Sequence, residues 1–482
     1  MSSTVPHRQM YIGGQWVDAA DGQVLTSENP ATEQSCGTFP AGTPRDVDAA
    51  VAAASAAAPG WSDLGWAERA RLLRALAAAI AAERGPLARL DVADGGAPIS
   101  GMRGDVDQTV AEIEYYAGIA SQTRGSSAPP APDSLTYTLR EPYGVVGRIV
   151  PFNHPFKFAA GKCAAPLAAG NAVVLKPGEQ TSLSALELAR IADGILPPGV
   201  LNVVTGAGDV VGARLVEHPD VPRVAFTGSV PTGRAVLRGA ADEIKHVSLE
   251  LGGKNPVIVF PDVDPDRAAR AAVAGMNIAR SNGQSCGSGS RLFVHDAVRG
   301  PFLEALHGRL GEMRVGDPLD DSTEVGPLAF RSHYERVLGF VESARTEGAT
   351  VAFGGGRPSG LETGFYLSPT ILTGLDDDMT VVRNEIFGPV ISVLDWSDVD
   401  DVVRRANALP YGLTANVWTN DVTAALRTAR AVQAGYVYVN GTGRRPLGMP
   451  FGGWKHSGVG QENGPEELVS YTREKTVSVT FL

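Results

Sequence analysis

Sulfur is scarce in this chain of 482 residues, whose three cysteines, Cys36, Cys163 and Cys286, stand far apart with no C-x-x-C pair. An odd, scattered set supports neither a disulfide framework nor a cysteine-based zinc site, so the thiols are expected to be free. Basic charge is also short: 42 Lys and Arg face 53 Asp and Glu, for a formal charge of −11. With no long Lys/Arg run to offset that balance, a nucleic-acid partner has little electrostatic support. Long apolar runs are missing too. The best, ALAAAIAA, ends at Glu83 and Arg84, and the first twenty residues lack the charged start and apolar stretch of a secretory leader. The expectation is a soluble, cytoplasmic protein with no membrane partner.

What is present fits a globular protein of two or three packed domains, because the length exceeds what one core usually serves. From Thr43 to Leu90 the chain is Ala-rich, with Leu72, Leu73, Leu76 and Ile80 at helical spacing. This predicts packing helices, with Thr43-Pro44, Pro59-Gly60 and Gly85-Pro86 supplying starts and breaks. From Val145 the pattern changes to GVVGRIVP, NAVVLKP, GVLNVVTG, VPRVAFTG and HVSLELGG, alternating with helical stretches such as SALELARIADGI. Strands separated by helices predict a parallel, doubly wound sheet whose ligand crevice lies at the strands' C-terminal ends. A second α/β run follows through NPVIVF, RLFVHD, ISVLDW and YVYVN. Between Thr123 and Pro142, RGSSAPPAPDS followed by LTYTLRE predicts a projecting hairpin. The tail KTVSVTFL reads as an exposed strand that needs an edge from its own chain or from a partner subunit.

Three residues carry chemistry. Cys286, in SNGQSCGSGSR, has small neighbours whose backbone N–H groups would leave a thiol reachable and stabilise its thiolate; the competing reading is a buried structural cysteine. Glu250, in SLELGGK, ends an apolar strand run beside two glycines, where partial burial would raise its pKa into the range of a general base; otherwise it is a surface glutamate beside a turn. Asn153, in PFNHP, offers an amide donor to an oxygen that becomes negative, or else serves as a turn residue beside Pro155.

These residues in this order, together with PLAAGNAVVLKPGEQT, FTGSVPTG, LELGGKNP, NGQSC, EIFGPV and PFGGWKHSG, resemble the NAD(P)-dependent aldehyde dehydrogenase superfamily over essentially the whole chain. The resemblance implies an α/β fold with a Rossmann-type cofactor domain, a second α/β catalytic domain and a small β oligomerisation arm. It divides the chain into an NAD-binding domain (1–122 and 143–251), a catalytic domain (252–465) and the arm (123–142 and 466–482). It also implies the roles. Cys286 attacks an aldehyde, the Asn153 amide and the Cys286 backbone N–H hold the oxyanion, and hydride passes to the nicotinamide. The thioester left behind is hydrolysed by water that Glu250 activates. Lys162 and Glu462 match positions that carry the proton onward.

For the cofactor, two glycine runs compete. TGAGDVVG, with Gly206, Gly208 and Gly212, misses the usual dinucleotide spacing by one. FTGSVPTG places Gly228 and Ser229 after a strand and Gly233 in the next helix's first turns, where a pyrophosphate meets backbone N–H groups, and the resemblance selects this site. Lys176 and Glu179 match positions on the adenosine ribose, where a carboxylate repels a 2′-phosphate and favours NAD over NADP. Glu385 and Phe387 match the nicotinamide ribose and ring, while Pro151 and Phe152 flank the cofactor.

Positions matching the substrate tunnel are His154, Lys157, Phe158, Gly161, Arg280, Arg444 and Phe451. Aromatic side chains often stand at several of these in relatives acting on small aliphatic aldehydes, so Gly161 and Arg280 suggest a wider or more polar mouth. Lys157, Arg280 and Arg444 would draw an anionic substrate, unless their stems carry the charges outward. Both an acidic semialdehyde and a bulky or aromatic aldehyde stay open. So do two rivals, a coenzyme A-acylating dehydrogenase, against which Glu250 speaks, and a catalytically idle member of the fold. The resemblance further implies a homodimer or homotetramer.

Overall fold

The two runs of β-branched segments form two separate sheets in the computed structural model, which describes residues 6–129, 131–443 and 445–481. In the first, Leu201–Val203, Ala172–Lys176, Val145–Ile149, Arg223–Thr227 and His246–Glu250 lie parallel in that order. All but the start of the last are buried, as expected of parallel strands covered by helices on both faces. Antiparallel strands close both edges: Met10–Ile12 on one side and the short Gly458–Val459 on the other. The second edge places Gly458 opposite Glu250, so a segment from late in the chain completes the first sheet at its most chemically interesting residue.

The second sheet runs Thr350–Phe353, Thr370–Thr373, Val390–Trp396, Arg291–His295, Pro256–Val259, Thr414–Trp418 and Tyr436–Val439, parallel except for the first strand. Four apolar clusters fill the two faces of each sheet.

One local expectation is corrected. The Pro59-Gly60 pair does not break the N-terminal helix, which runs Pro44–Asp63 with Pro59 inside it. Proline removes one helical hydrogen bond; here both Pro59 and Ser55, whose carbonyl loses its donor, face water. The break falls instead at Gly65, whose φ of +74° suits glycine. The segment 123–142 folds back on itself as expected: Ala128 N donates to the Thr136 carbonyl (2.9 Å), Thr138 N to the Ser126 carbonyl (2.7 Å), and Ala131 and Ser134 exchange bonds across the turn. Its strand Ser134–Pro142 also pairs along its whole length with the tail strand Thr472–Thr480. The tail therefore finds its edge on its own chain. The tail strand is largely exposed while Ser134–Pro142 is mostly half-buried, and a ribbon of so few strands needs packing from elsewhere for stability.

Among the described residues no helix is long and apolar enough to cross a membrane.

Candidate active site

The polar loop around Cys286 is held by buried amides. The chain enters through two residues in left-handed conformation, Asn282 (φ +55°) and Gly283 (φ +73°). Asn282 Nδ2 donates to the carbonyls of Gly96 (3.1 Å) and Pro327 (2.6 Å), while its Oδ1 accepts from Gly326 N (2.8 Å). Asn255 Nδ2 donates to the carbonyls of Cys286 (2.8 Å) and Ser288 (2.9 Å). At Gly283 a Cβ would lie 2.6 Å from the Gly388 carbonyl carbon, so the loop tolerates no side chain there.

Cys286 itself is half-buried and unpaired. Its thiol is pushed up to about 11, by burial first, with Glu250 and Glu385 adding and Arg445 and Lys157 opposing. The small neighbours thus grant access without producing a thiolate in the resting site. Glu250 lies at the end of its strand, buried, with Oε1 lacking a partner among the described residues. Burial, reinforced by Glu462, raises its pKa well above the usual carboxylate range, against the pull of Lys162 and Arg445. Glu462 behaves oppositely. Burial alone would keep it neutral, but Lys162 Nζ at 2.6 Å and Arg148 Nη2 at 2.7 Å outweigh burial and hold it ionised. Asn153 Nδ2 gives one hydrogen to the Gln284 carbonyl at 2.7 Å, and its Oδ1 has no partner among the described residues. Asn153, Glu250 and Cys286 all line one cavity of about 670 Å3.

That cavity continues into an outer one of about 1030 Å3, the two sharing Pro151, Phe152, Thr227, Gly228, Ser229 and Pro231. Together they form a crevice across the C-terminal ends of the first sheet, where open α/β sheets bind dinucleotides. The residues fit such a group. Ser229 caps the helix Val230–Ala241, accepting from Thr232 N at 3.3 Å. At Gly228 any Cβ would run into the Phe226 ring, and its N–H donates to the Glu250 carbonyl at 3.0 Å, so the glycine lets the chain pass tightly from the strand to the helix N-terminus, the end that favours an anion. Lys176 and Glu179 line the outer end, where Glu179 accepts from Gly208 N at 3.0 Å. Glu385 and Phe387 line the inner end beside Cys286. Glu385 accepts from Gly253 N at 3.1 Å, and burial pushes its carboxyl up to about 7. Phe387 has a φ of +61°, a costly conformation for an aromatic residue, maintained where His333 Nε2–H donates to its carbonyl at 2.7 Å.

Gly233 does not face the crevice. Its missing side chain lets the helix lie against Leu251, whose Cδ1 would stand 2.8 Å from a Cβ. Conversely, the run set aside on spacing supplies part of the wall, since Gly208, Asp209 and Gly212 line the outer cavity. The sequence reading also missed Arg336, which donates to the Ile386 (2.9 Å) and Glu385 (2.7 Å) carbonyls. No local motif marks Arg336 or His333, which come from the helix Arg331–Thr346 and act only through the fold.

A narrower cavity meets the first at Phe158 and Cys286 and is also lined by His154, Lys157, Arg280 and Arg445. His154 Nδ1 contacts Asp105 Oδ2 at 2.5 Å, and the other Asp105 oxygen takes Arg280. Gly161 does not widen this channel. It faces the Glu112 carboxylate, which occupies the place a side chain would take. Phe451 stands behind Arg445, whose guanidinium carbon lies 4.1 Å from its ring centroid. Arg444 lies outside the described residues. The adjacent Arg445 lines the channel, and the glycines around the loop gave the sequence no way to choose between them.

Residues 16–477 match the family model described as "Aldehyde dehydrogenase family". Among solved structures, the NAD+ complex of an aldehyde dehydrogenase from Bacillus cereus is 41% identical, covers 98% of this chain and 96% of its own, and superposes with a TM-score of 0.95. Betaine aldehyde dehydrogenase from Staphylococcus aureus, in complex with NAD+, is 34% identical over 98% of this chain and 95% of its own, with a TM-score of 0.95. A 3,6-anhydro-L-galactose dehydrogenase in complex with NAP is 34% identical over 98% of this chain and 100% of its own, with a TM-score of 0.96. A match of this extent, on a fold that brings thiol, carboxylate and amide into one crevice, means that the chain belongs to the aldehyde dehydrogenase family.

Proposed function

We propose that the protein oxidises an aldehyde to a carboxylic acid with NAD, through an acyl adduct on Cys286 that water hydrolyses. The observation that carries this reading is the meeting of Cys286, Glu250 and Asn153 in a cavity continuous with a crevice large enough for a dinucleotide. NAD, when bound with its nicotinamide near Glu385 and Phe387, supplies a hydride acceptor. Glu179 at the outer end favours NAD over NADP.

The chain's own groups do the rest. The resting thiol must lose its proton, and Glu250, a stronger base than an ordinary carboxylate, accepts it. Sγ adds to the carbonyl carbon, and the developing oxyanion takes the second hydrogen of Asn153 Nδ2 and the Cys286 backbone N–H. Loss of hydride converts the thiohemiacetal to a thioester. Glu250, ionised again, takes a proton from water; the hydroxide displaces sulfur and releases the acid. Lys162, Glu462 and Arg148 form the ionic network toward which that proton moves.

The first sheet and its helices serve as the cofactor domain, residues 252–465 as the catalytic domain, and the ribbon as an arm for a homodimer or homotetramer in the cytoplasm. Cys286→Ser should abolish NADH production from aldehyde while NAD still binds, read by quenching of tryptophan fluorescence; undiminished turnover would remove the nucleophile. Strict dependence of turnover on coenzyme A would replace the hydrolytic step with acyl transfer to that thiol.

A further inference from the structure

The channel on the substrate side of Cys286 has three cations in its wall, Lys157, Arg280 and Arg445, and no Asp or Glu among its described lining residues. The three are not equivalent. Arg280 is committed to Asp105, whose second oxygen is taken by His154, so that carboxylate is saturated. Lys157 and Arg445 form no ion pair among the described residues. Lysine usually escapes this situation by carrying its ammonium to water along a flexible stem. Lys157 is only 5% exposed and lies on the turn Lys157–Gly161, within the wall. Arg445 holds its guanidinium carbon 4.1 Å from the Phe451 ring centroid, an aromatic contact that uses none of its N–H donors on an ionic partner. Around Lys157 the charged neighbours are Arg280, Glu112, Asp105 and Arg445. Glu250, beyond Cys286, also acts on Arg445, but Asp105 is already engaged and no carboxylate stands within ion-pairing distance of Lys157 or Arg445 among the described residues, so these two cations lack a direct negative partner.

From this geometry we infer that the substrate is a semialdehyde, an aldehyde whose far end is a carboxylate held between Lys157 and Arg445. The inference rests on the reading of Cys286 as the nucleophile and adds the chemistry of the tail. A carboxylate supplies the missing charge and accepts from both cations, whereas an uncharged tail would leave a buried ammonium without a counter-charge, a costly arrangement.

The test compares 4-oxobutanoate with its methyl ester, which keeps the aldehyde and removes the charge, at constant NAD. The acid should have a kcat/KM larger by about ten-fold or more, a gap that narrows in high salt. Lys157→Met and Arg445→Met should each shrink that ratio by about ten-fold, through KM for the acid, while Lys157→Arg preserves it. Thermal melting identifies any variant that fails to fold, and inhibition of ester oxidation by butanedioate in the wild-type protein then reads the same site without substitution. An ester used as well as the acid, or variants that fold and keep the ratio, would overturn the anionic tail while leaving aldehyde oxidation standing. Oxidation only of neutral aldehydes would do the same. If Cys286→Ser retained full turnover, the reading of the nucleophile would fail first, separately from any preference for charge.

Discussion

Desolvation holds both Cys286 and Glu250 toward their protonated forms. The thiol, pushed up to about 11, stays protonated at rest. Glu250 is raised well above its usual range and so holds a proton more strongly than ordinary carboxylates do. Only its ionised form is a base, and the ionised fraction grows as pH rises through the elevated pKa. Steady-state turnover should therefore climb with pH along a limb displaced upward from about 4.3, the value of an unperturbed glutamate. In Glu250→Gln that limb should vanish and turnover should fall by about 100- to 10,000-fold, the worth of a positioned general base. A pH profile of kcat for both proteins checks this, and an unchanged limb in the variant would assign the titration elsewhere. Cys286 stood out in the sequence for its run of small residues, Glu250 for ending an apolar strand beside two glycines, and Asn153 for following the strand GRIVP. Arg148 and Arg445 did not. Arg148 lies inside a strand that reads as apolar, and its partner Glu462 is distant in sequence and nearby only in the fold.

Elements position these groups through contacts that local patterns do not reveal. The loop after Asn277 is a case in point: its polar letters look like a solvated turn, yet Asn282 is buried and joins three separate backbone groups. Asn282→Ala should leave two carbonyls and one N–H unsatisfied and lower stability by roughly 2–4 kcal/mol, measured by thermal or urea unfolding with NAD absent. A change within about 0.5 kcal/mol, the range of an ordinary surface substitution, would contradict that role. Strands and helices themselves were readable, since continuous β-branched runs and Ala-Leu spacing left few alternatives. Pro59 misled because the sequence does not show which side of the helix meets water. Gly233 misled because a glycine needed for packing against Leu251 looks the same as one needed for a phosphate.

At the scale of the molecule, two parallel sheets carry the cofactor crevice and the cysteine loop, and the strand Gly458–Val459 ties them together at Glu250. The alternation of strands and helices announced both sheets, but not this late crossing, which two residues are too few to signal. The ribbon of Ser134–Pro142 and Thr472–Thr480 stands apart with exposed Leu139, Val479 and Phe481. These apolar side chains on a two-stranded ribbon are the feature that supports assembly through it. Light scattering should find two or four subunits for the full chain and a single one after removal of residues 473–482, while a full chain that is already monomeric would contradict the arm's role. The proposed reaction turns on one event, the transient bond between an acyl group and a single sulfur. Intact-mass and peptide analysis of Glu250→Gln, mixed with NAD and 4-oxobutanoate or a neutral aldehyde at alkaline pH, where part of the Cys286 thiol ionises without the base, and then acid-quenched, reads that event most directly. An acyl group on Cys286, one per subunit and appearing only when NAD is present, is the predicted result. NADH formed at full rate with Cys286 unmodified, or an NAD-dependent acyl group on any other residue, would contradict it.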